Sequence, residues 1–77
     1  MMTPATCRAG RGLIGQSQIQ LAAAARVGTS TVRNYEAGAD VLESNVTAIQ
    51  QALEDGGVEF IPDGVAPGAG KAGVRLR

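Results

Sequence analysis

At 77 residues the chain is long enough for one small domain with one modest core, and a core of that size is marginally stable without a partner subunit. Histidine is absent and cysteine occurs once, at Cys7, which excludes a histidine general base, a Cys/His zinc site and an intrachain disulfide framework. The formal net charge is zero but unevenly spread: Arg8, Arg11, Arg26 and Arg33 against Glu36 leave residues 1–38 at +3, residues 39–63 carry only acids, and Lys71, Arg75 and Arg77 follow, so one end can face a polyanion while the other faces something else.

With one Tyr, one Phe and no Trp, the core must come from Leu, Ile, Val and Ala. No apolar run approaches the roughly 18 residues of a membrane span, and the opening "MMTPATCRAGRG" has no apolar core of a signal peptide. Cysteine usage fits a reducing cytoplasm. Cys7 itself reads either as a reactive thiol or as a small buried apolar filler.

Thr3 followed by Pro4 is the signature of a helix N-cap and first turn. The helix is expected to run to about Ile14, with Cys7, Leu13 and Ile14 inward, weakened at Gly10 and Gly12 by up to about 1 kcal/mol each relative to Ala and stopped at Gly15. Ser17 caps a second helix, Gln18 to about Ala25, whose Leu21, Ala22 and Ala25 fall at helical spacing. Gly28 or Thr29 opens a third, to about Ala37, with Val32, Tyr35 and Glu36 toward the body and Gly38 as its stop. Ser44 or Asn45 is expected to cap a fourth, in which Val46, Ile49 and Leu53 share a face and which ends at Gly56-Gly57.

The period then changes. "VEFI" and "VRLR" alternate, so Val58 and Phe60 share one face of a strand, and Val74 and Leu76 share one face of another. Antiparallel pairing would bring Glu59 near an arginine across the ladder. The intervening "PDGVAPGAGKA", residues 62–72, is too long and too rich in Gly and Pro for a tight hairpin, and reads as a mobile connection.

Catalytic chemistry finds little support. Ser17, Thr31 and Cys7 have no His or Lys at a spacing that would activate them, so the chain is not expected to be an enzyme and needs no cofactor. "GAGKAG" around Lys71 looks superficially like a phosphate loop, but it lacks the full spacing, the hydroxyl residue after the lysine and a following helix.

Two short helices joined by a tight turn form a helix-turn-helix. Ala22 is small where the third helix must approach the second, Leu21 and Val32 can meet between them, and Val27 can plug the corner. Gln18 stands at the first turn of helix two, where N–H groups and an amide can reach a phosphate. Thr29, Ser30, Arg33 and Asn34 share the other side of helix three. Those side chains suit base reading: Asn pairs two-fold with adenine, Arg forks onto guanine, and hydroxyls meet either base edges or phosphate. By chemistry alone the same face reads equally as a solvated helix surface.

The order of the signals adds to this. "CRAGRGLIGQSQIQLAAAARVGTSTVRNYEAG", with Arg11, Leu13, Ser17-Gln18, Leu21-Ala22, Val27, Val32, and Glu36 followed by Gly38, resembles the Cro and phage-repressor (XRE) family of helix-turn-helix transcriptional regulators. "AIQQALEDGGVEFIPDG" and the closing "GVRLR" resemble the ends of small bacterial members, so the resemblance covers most of residues 7–64.

The resemblance implies a mainly α fold: a compact lambda-repressor-like bundle of four to five short helices over residues 1–57, followed over residues 58–77 by one or two short β-strands. It implies that helix three enters the major groove with Thr29, Ser30, Arg33 and Asn34 toward bases, and that Gln18 meets the DNA backbone. Arg11, Arg26 and Thr31 join Gln18 as expected backbone contacts, and Glu36 is expected to be structural. Two positions depart from the family pattern. Arg26 stands where the turn usually has Gly, so either a non-glycine residue takes a left-handed conformation or the turn differs. Gly28 stands where a Ser or Thr often caps helix three, with Thr29 left to take part of that role.

With so few cations, a single protomer would hold DNA weakly. A homodimer is therefore expected, joined through Val58, Phe60, Val74 and Leu76 of the open strands or through the fourth helices, and binding a palindromic operator as a repressor in the cytoplasm. The rival expectation is a protein-interaction module on the same scaffold, an antiactivator or antitoxin-like partner, favoured by the acidic middle of the chain.

Overall fold

The computed structural model describes residues 2–61 and 73–77. The chain folds as helices α1 (Pro4–Leu13), α2 (Gln18–Ala25), α3 (Thr29–Glu36) and α4 (Glu43–Asp55), then strands β1 (Val58–Ile61) and β2 (Gly73–Leu76). The expected mobile connection at residues 62–72, with Lys71 in it, lies outside the described residues.

Local chemistry sets the starts of the first two helices. At the start of α1 the Thr3 hydroxyl accepts from the Thr6 amide at 3.1 Å, while Thr6 Oγ1 accepts from the Thr3 amide at 2.8 Å. Ser17 and Gln20 make the same reciprocal pair at the start of α2, at 3.1 and 2.9 Å. Each box satisfies two amides that a helix end otherwise leaves without partners.

Two sequence expectations need correction. Leu13 does not face inward; it is 42% exposed. The buried residues of α1 are Thr6, Cys7 and Gly10, and Ile14, the cap residue just past its end, packs against the core; Leu13, six residues after Cys7, is turned about 120° from it. In addition, α4 is capped by neither Ser44 nor Asn45. It starts at Glu43, with Leu42 at the N-cap and no side-chain cap bond. Val41 packs against the core just before it, and that anchorage outweighs a capping preference worth about 1 kcal/mol.

The buried core draws on all four helices and on β1: Cys7 of α1, Leu21 and Ala22 of α2, Val32 and Tyr35 of α3, Ile49 and Leu53 of α4, Val58 and Phe60 of β1, with Met2 ahead of α1. Val46, Ala52 and Val74 are half-buried against it. Gly10 lets α1 lie down on the hairpin, because a Cβ there would stand 3.3 Å from Val58 Cγ1 and 3.7 Å from Val74 Cγ2.

The strands pair antiparallel, with Val58 opposite Leu76, Glu59 opposite Arg75, Phe60 opposite Val74 and Ile61 opposite Gly73. Alternation does what the pattern implied: Val58 and Phe60 turn to the core, and Glu59 accepts a 2.8 Å ion-pair bond from Arg75 Nε on the opposite face. Both partners are well exposed, so the pair contributes little. The same burial alters the reading of the strands as a joint between protomers. Val58 is fully buried and Phe60 nearly so within their own protomer, and Val74 is half-buried. Of the four side chains assigned to a dimer surface, Leu76 alone stands open, at 53%.

Candidate nucleic-acid interface

The α2–α3 corner is built on small residues. Ala22 is 2% exposed, and α2 packs chiefly on α3 and α4. The turn between the helices is Arg26-Val27-Gly28. Arg26 adopts φ 60°, ψ 43°, so the first alternative raised by the sequence is the one realised: a non-glycine residue takes the left-handed conformation. Its amide donates to the Ala23 carbonyl at 3.3 Å and that of Val27 to Ala22 at 3.0 Å, closing α2. Gly28 starts α3 with no side-chain cap bond, and Thr29 does not supply one.

Glu36 fastens the corner to the rest of the molecule. It is 5% exposed at the end of α3. Its Oε2 accepts from Arg11 Nε at 2.6 Å and from Cys7 Sγ at 3.3 Å. Its Oε1 accepts from Arg11 Nη2 at 2.8 Å and from Gln18 Nε2 at 3.0 Å. Arg11 Nη1 also donates to the Gln16 carbonyl at 3.0 Å, and Arg8 Nη1 donates to the Glu36 backbone carbonyl. One carboxylate thus ties α1 twice and the start of α2 once to α3, in the fork geometry that suits arginine.

Titration follows from this geometry. Burial alone would raise the Glu36 pKa, but hydrogen bonds from Arg11, Gln18 and Cys7, with the Arg11 charge, outweigh it and hold the carboxyl below its ordinary range. The thiol of Cys7 moves the other way, to about 12, through burial first and then through its bond to the Glu36 carboxylate. Of the two readings of Cys7, the buried filler is the one the fold uses: the side chain is fully buried and too weakly acidic to form a reactive thiolate.

The expected contact residues divide into two groups. Val32, Tyr35 and Glu36 bury one side of α3, and the Tyr35 hydroxyl donates to the Met2 carbonyl at 3.1 Å. The opposite side carries Ser30, Arg33 and Asn34, all exposed, with Thr29 half-exposed beside them. None of these four makes a side-chain hydrogen bond or ion pair among the described residues, and Arg26 at the corner is equally free and exposed. Thr31 lies half-buried at the margin of this face. Arg11 and Gln18 belong to the other group. Both were expected against a DNA backbone, and both are bound to Glu36, with Arg11 only 19% exposed.

Sequence reasoning placed Glu36 inward but missed the cluster of Cys7, Arg11 and Gln18 around it, as well as Thr6 and Gln20 in the capping boxes. The boxes were legible as a hydroxyl residue three positions before Thr6 or Gln20. The cluster was not, because Cys7, Arg11, Gln18 and Glu36 come from three helices.

No protein-family model matches the chain, and no curated protein matches it. Among the described residues, no helix is long and apolar enough to cross a membrane.

Proposed function

We propose that the protein is a sequence-specific double-stranded DNA-binding regulator, acting as a repressor in the cytoplasm, with α3 read into the major groove. The observation that carries this reading is the two-sided character of α3. One side is anchored by Val32, Tyr35 and Glu36, and the other offers Thr29, Ser30, Arg33 and Asn34 with no internal partners among the described residues. A rigid helix with unspent hydroxyl, guanidinium and amide groups on one face matches the donor and acceptor pattern of base edges. The resemblance of the sequence to the Cro and phage-repressor (XRE) family supports the same assignment.

On this reading the base contacts are Ser30, Arg33 and Asn34, with Thr29 toward base or phosphate and Thr31 and Arg26 toward the backbone. Gln18 can still contribute, since one amide proton remains after the bond to Glu36. The protein binds as a two-fold dimer that sets two copies of α3 about one DNA turn, roughly 34 Å, apart. With Val58 and Phe60 committed to the protomer core, the dimer joint falls to Leu76, the strand edges or the fourth helices.

Selection from random duplexes, followed by anisotropy titration at several salt concentrations, tests this. The expected outcome is a palindromic consensus whose affinity falls steeply with salt. Selection that enriches no sequence, together with affinity below detection at low salt, refutes it.

A second reading keeps the scaffold and changes the partner. Ile19 at 69% and Leu42 at 72% exposure are large apolar side chains left in solvent, which favours a protein-interaction module. Binding to a protein through such side chains would persist as salt rises, whereas phosphate contacts would not.

A further inference from the structure

Four described residues have positive φ in the left-handed range: Gly15, Gly38, Gly57 and Arg26. Glycine fills three of those places, where it costs nothing sterically. The fourth holds a β-carbon-bearing residue whose side chain does nothing visible for the fold. Arg26 is exposed, and its guanidinium makes no hydrogen bond or ion pair among the described residues. The amide that helps close α2 would be supplied equally by glycine. A residue held in a costly conformation without a structural return points to a use for its side chain.

The arrangement of cations suggests that use. Residues 1–38 carry four arginines. Arg11 is locked onto the Glu36 carboxylate and Arg8 onto the Glu36 carbonyl. Among the described residues Arg26 and Arg33 make no side-chain hydrogen bond or ion pair, one at the corner leading into α3 and the other on its open face.

We propose that Arg26 is a phosphate anchor: the corner of the α2–α3 unit holds a strained arginine because its charge grips the nucleic-acid backbone beside α3. This rests on the DNA-binding reading above and deepens it. A glycine would take the same left-handed conformation at no steric cost, and Arg26 is one of the two arginines of residues 1–38 with no side-chain partner among the described residues. A structural alternative is that the charge stabilises the carbonyl end of α2 through the helix dipole; stability measurements separate the two.

The test compares wild type, Arg26→Gly and Arg26→Lys by thermal unfolding and by anisotropy with random-sequence duplex DNA as the probe. Backbone contacts carry no sequence information, so this probe suffices. Arg26→Gly is expected to raise the unfolding midpoint and to lower the slope of log K against log salt by about 0.9. That slope corresponds to about three- to four-fold in affinity over a four-fold rise in salt. Arg26→Lys is expected to keep the slope. An unchanged slope in Arg26→Gly, with wild type binding, overturns this proposal alone. A lowered midpoint in Arg26→Gly overturns it in favour of the dipole role. Failure of wild type to bind any duplex at low salt overturns both this proposal and the DNA-binding reading.

Discussion

Replacing Glu36 by Gln tests whether one carboxylate holds three helices together. The substitution keeps the shape but removes the charge, and it turns one of the two accepting oxygens into a donor. Arg11 would then be left 19% exposed without its counter-ion, and Cys7 Sγ and Arg11 Nε would face an amide in place of Oε2 if the nitrogen takes that side. Breaking a buried pair from one side costs about 3–5 kcal/mol. Arg11 keeps some access to water and the amide oxygen can still accept, so about 2–4 kcal/mol is expected here. A domain of this length has roughly 4–12 kcal/mol in total, so the variant should lose a large share of its stability and unfold at a clearly lower urea midpoint.

Urea titration followed by far-UV circular dichroism measures this, and the pH dependence sharpens it. The Glu36 pKa is lowered in the folded state, so the unfolded chain takes up the proton more readily in the window between the two values. The stability contributed by the pair is therefore fully present above the ordinary carboxylate range and is lost as pH falls through the depressed folded value. Wild type and Glu36→Gln should differ by a constant amount near neutrality and converge in acid. A difference below about 0.5 kcal/mol at neutral pH, the ordinary range for a surface substitution, would refute the reasoning, as would a gap that does not narrow in acid.

Other substitutions test neighbouring steps. Arg33→Ala should leave stability nearly unchanged while reducing discrimination between a selected site and its single-base variants by about 1–3 kcal/mol if Arg33 forks onto guanine, read by competition gel shift. Gly12→Ala and Gly10→Ala share a gain in helix propensity of up to about 1 kcal/mol. Gly12 has open space and should show that gain in thermal unfolding, whereas at Gly10 the new methyl meets the stiff, fully buried Val58 at 3.3 Å, and the gain should vanish or reverse. Leu42→Asp should supply the cap that α4 lacks and stabilise by about 1 kcal/mol, measurable as a shift in urea midpoint.

Much of this protein is readable from local pattern. Ser17 announces α2 because its hydroxyl can reach an amide three residues on, and no distant residue is needed for that bond. Alternation in "VEFI" and "VRLR" puts Val58 and Phe60 inward and Glu59 on the face that carries the arginines, since a strand turns successive side chains to opposite faces; the register of pairing then sets Glu59 opposite Arg75. Spacing alone also separates Val32, Tyr35 and Glu36 from Ser30, Arg33 and Asn34, because a helix repeats every 3.6 residues, while Thr29, seven residues before Glu36, falls at the margin.

What tertiary structure decided is how each polar side chain is spent. Arg8, Arg11, Arg26 and Arg33 are the same residue type in the sequence, yet two are bound to Glu36 and two have no side-chain partner among the described residues. Gln18 looks like a phosphate ligand at a helix start and is instead held by a carboxylate eighteen residues away. The start of α4 likewise follows Val41 and the core rather than Ser44 or Asn45. Periodicity assigns a residue to a face; which partner that face meets depends on how separate helices dock, and that docking places the Glu36 carboxylate within reach of Cys7, Arg11 and Gln18 at once.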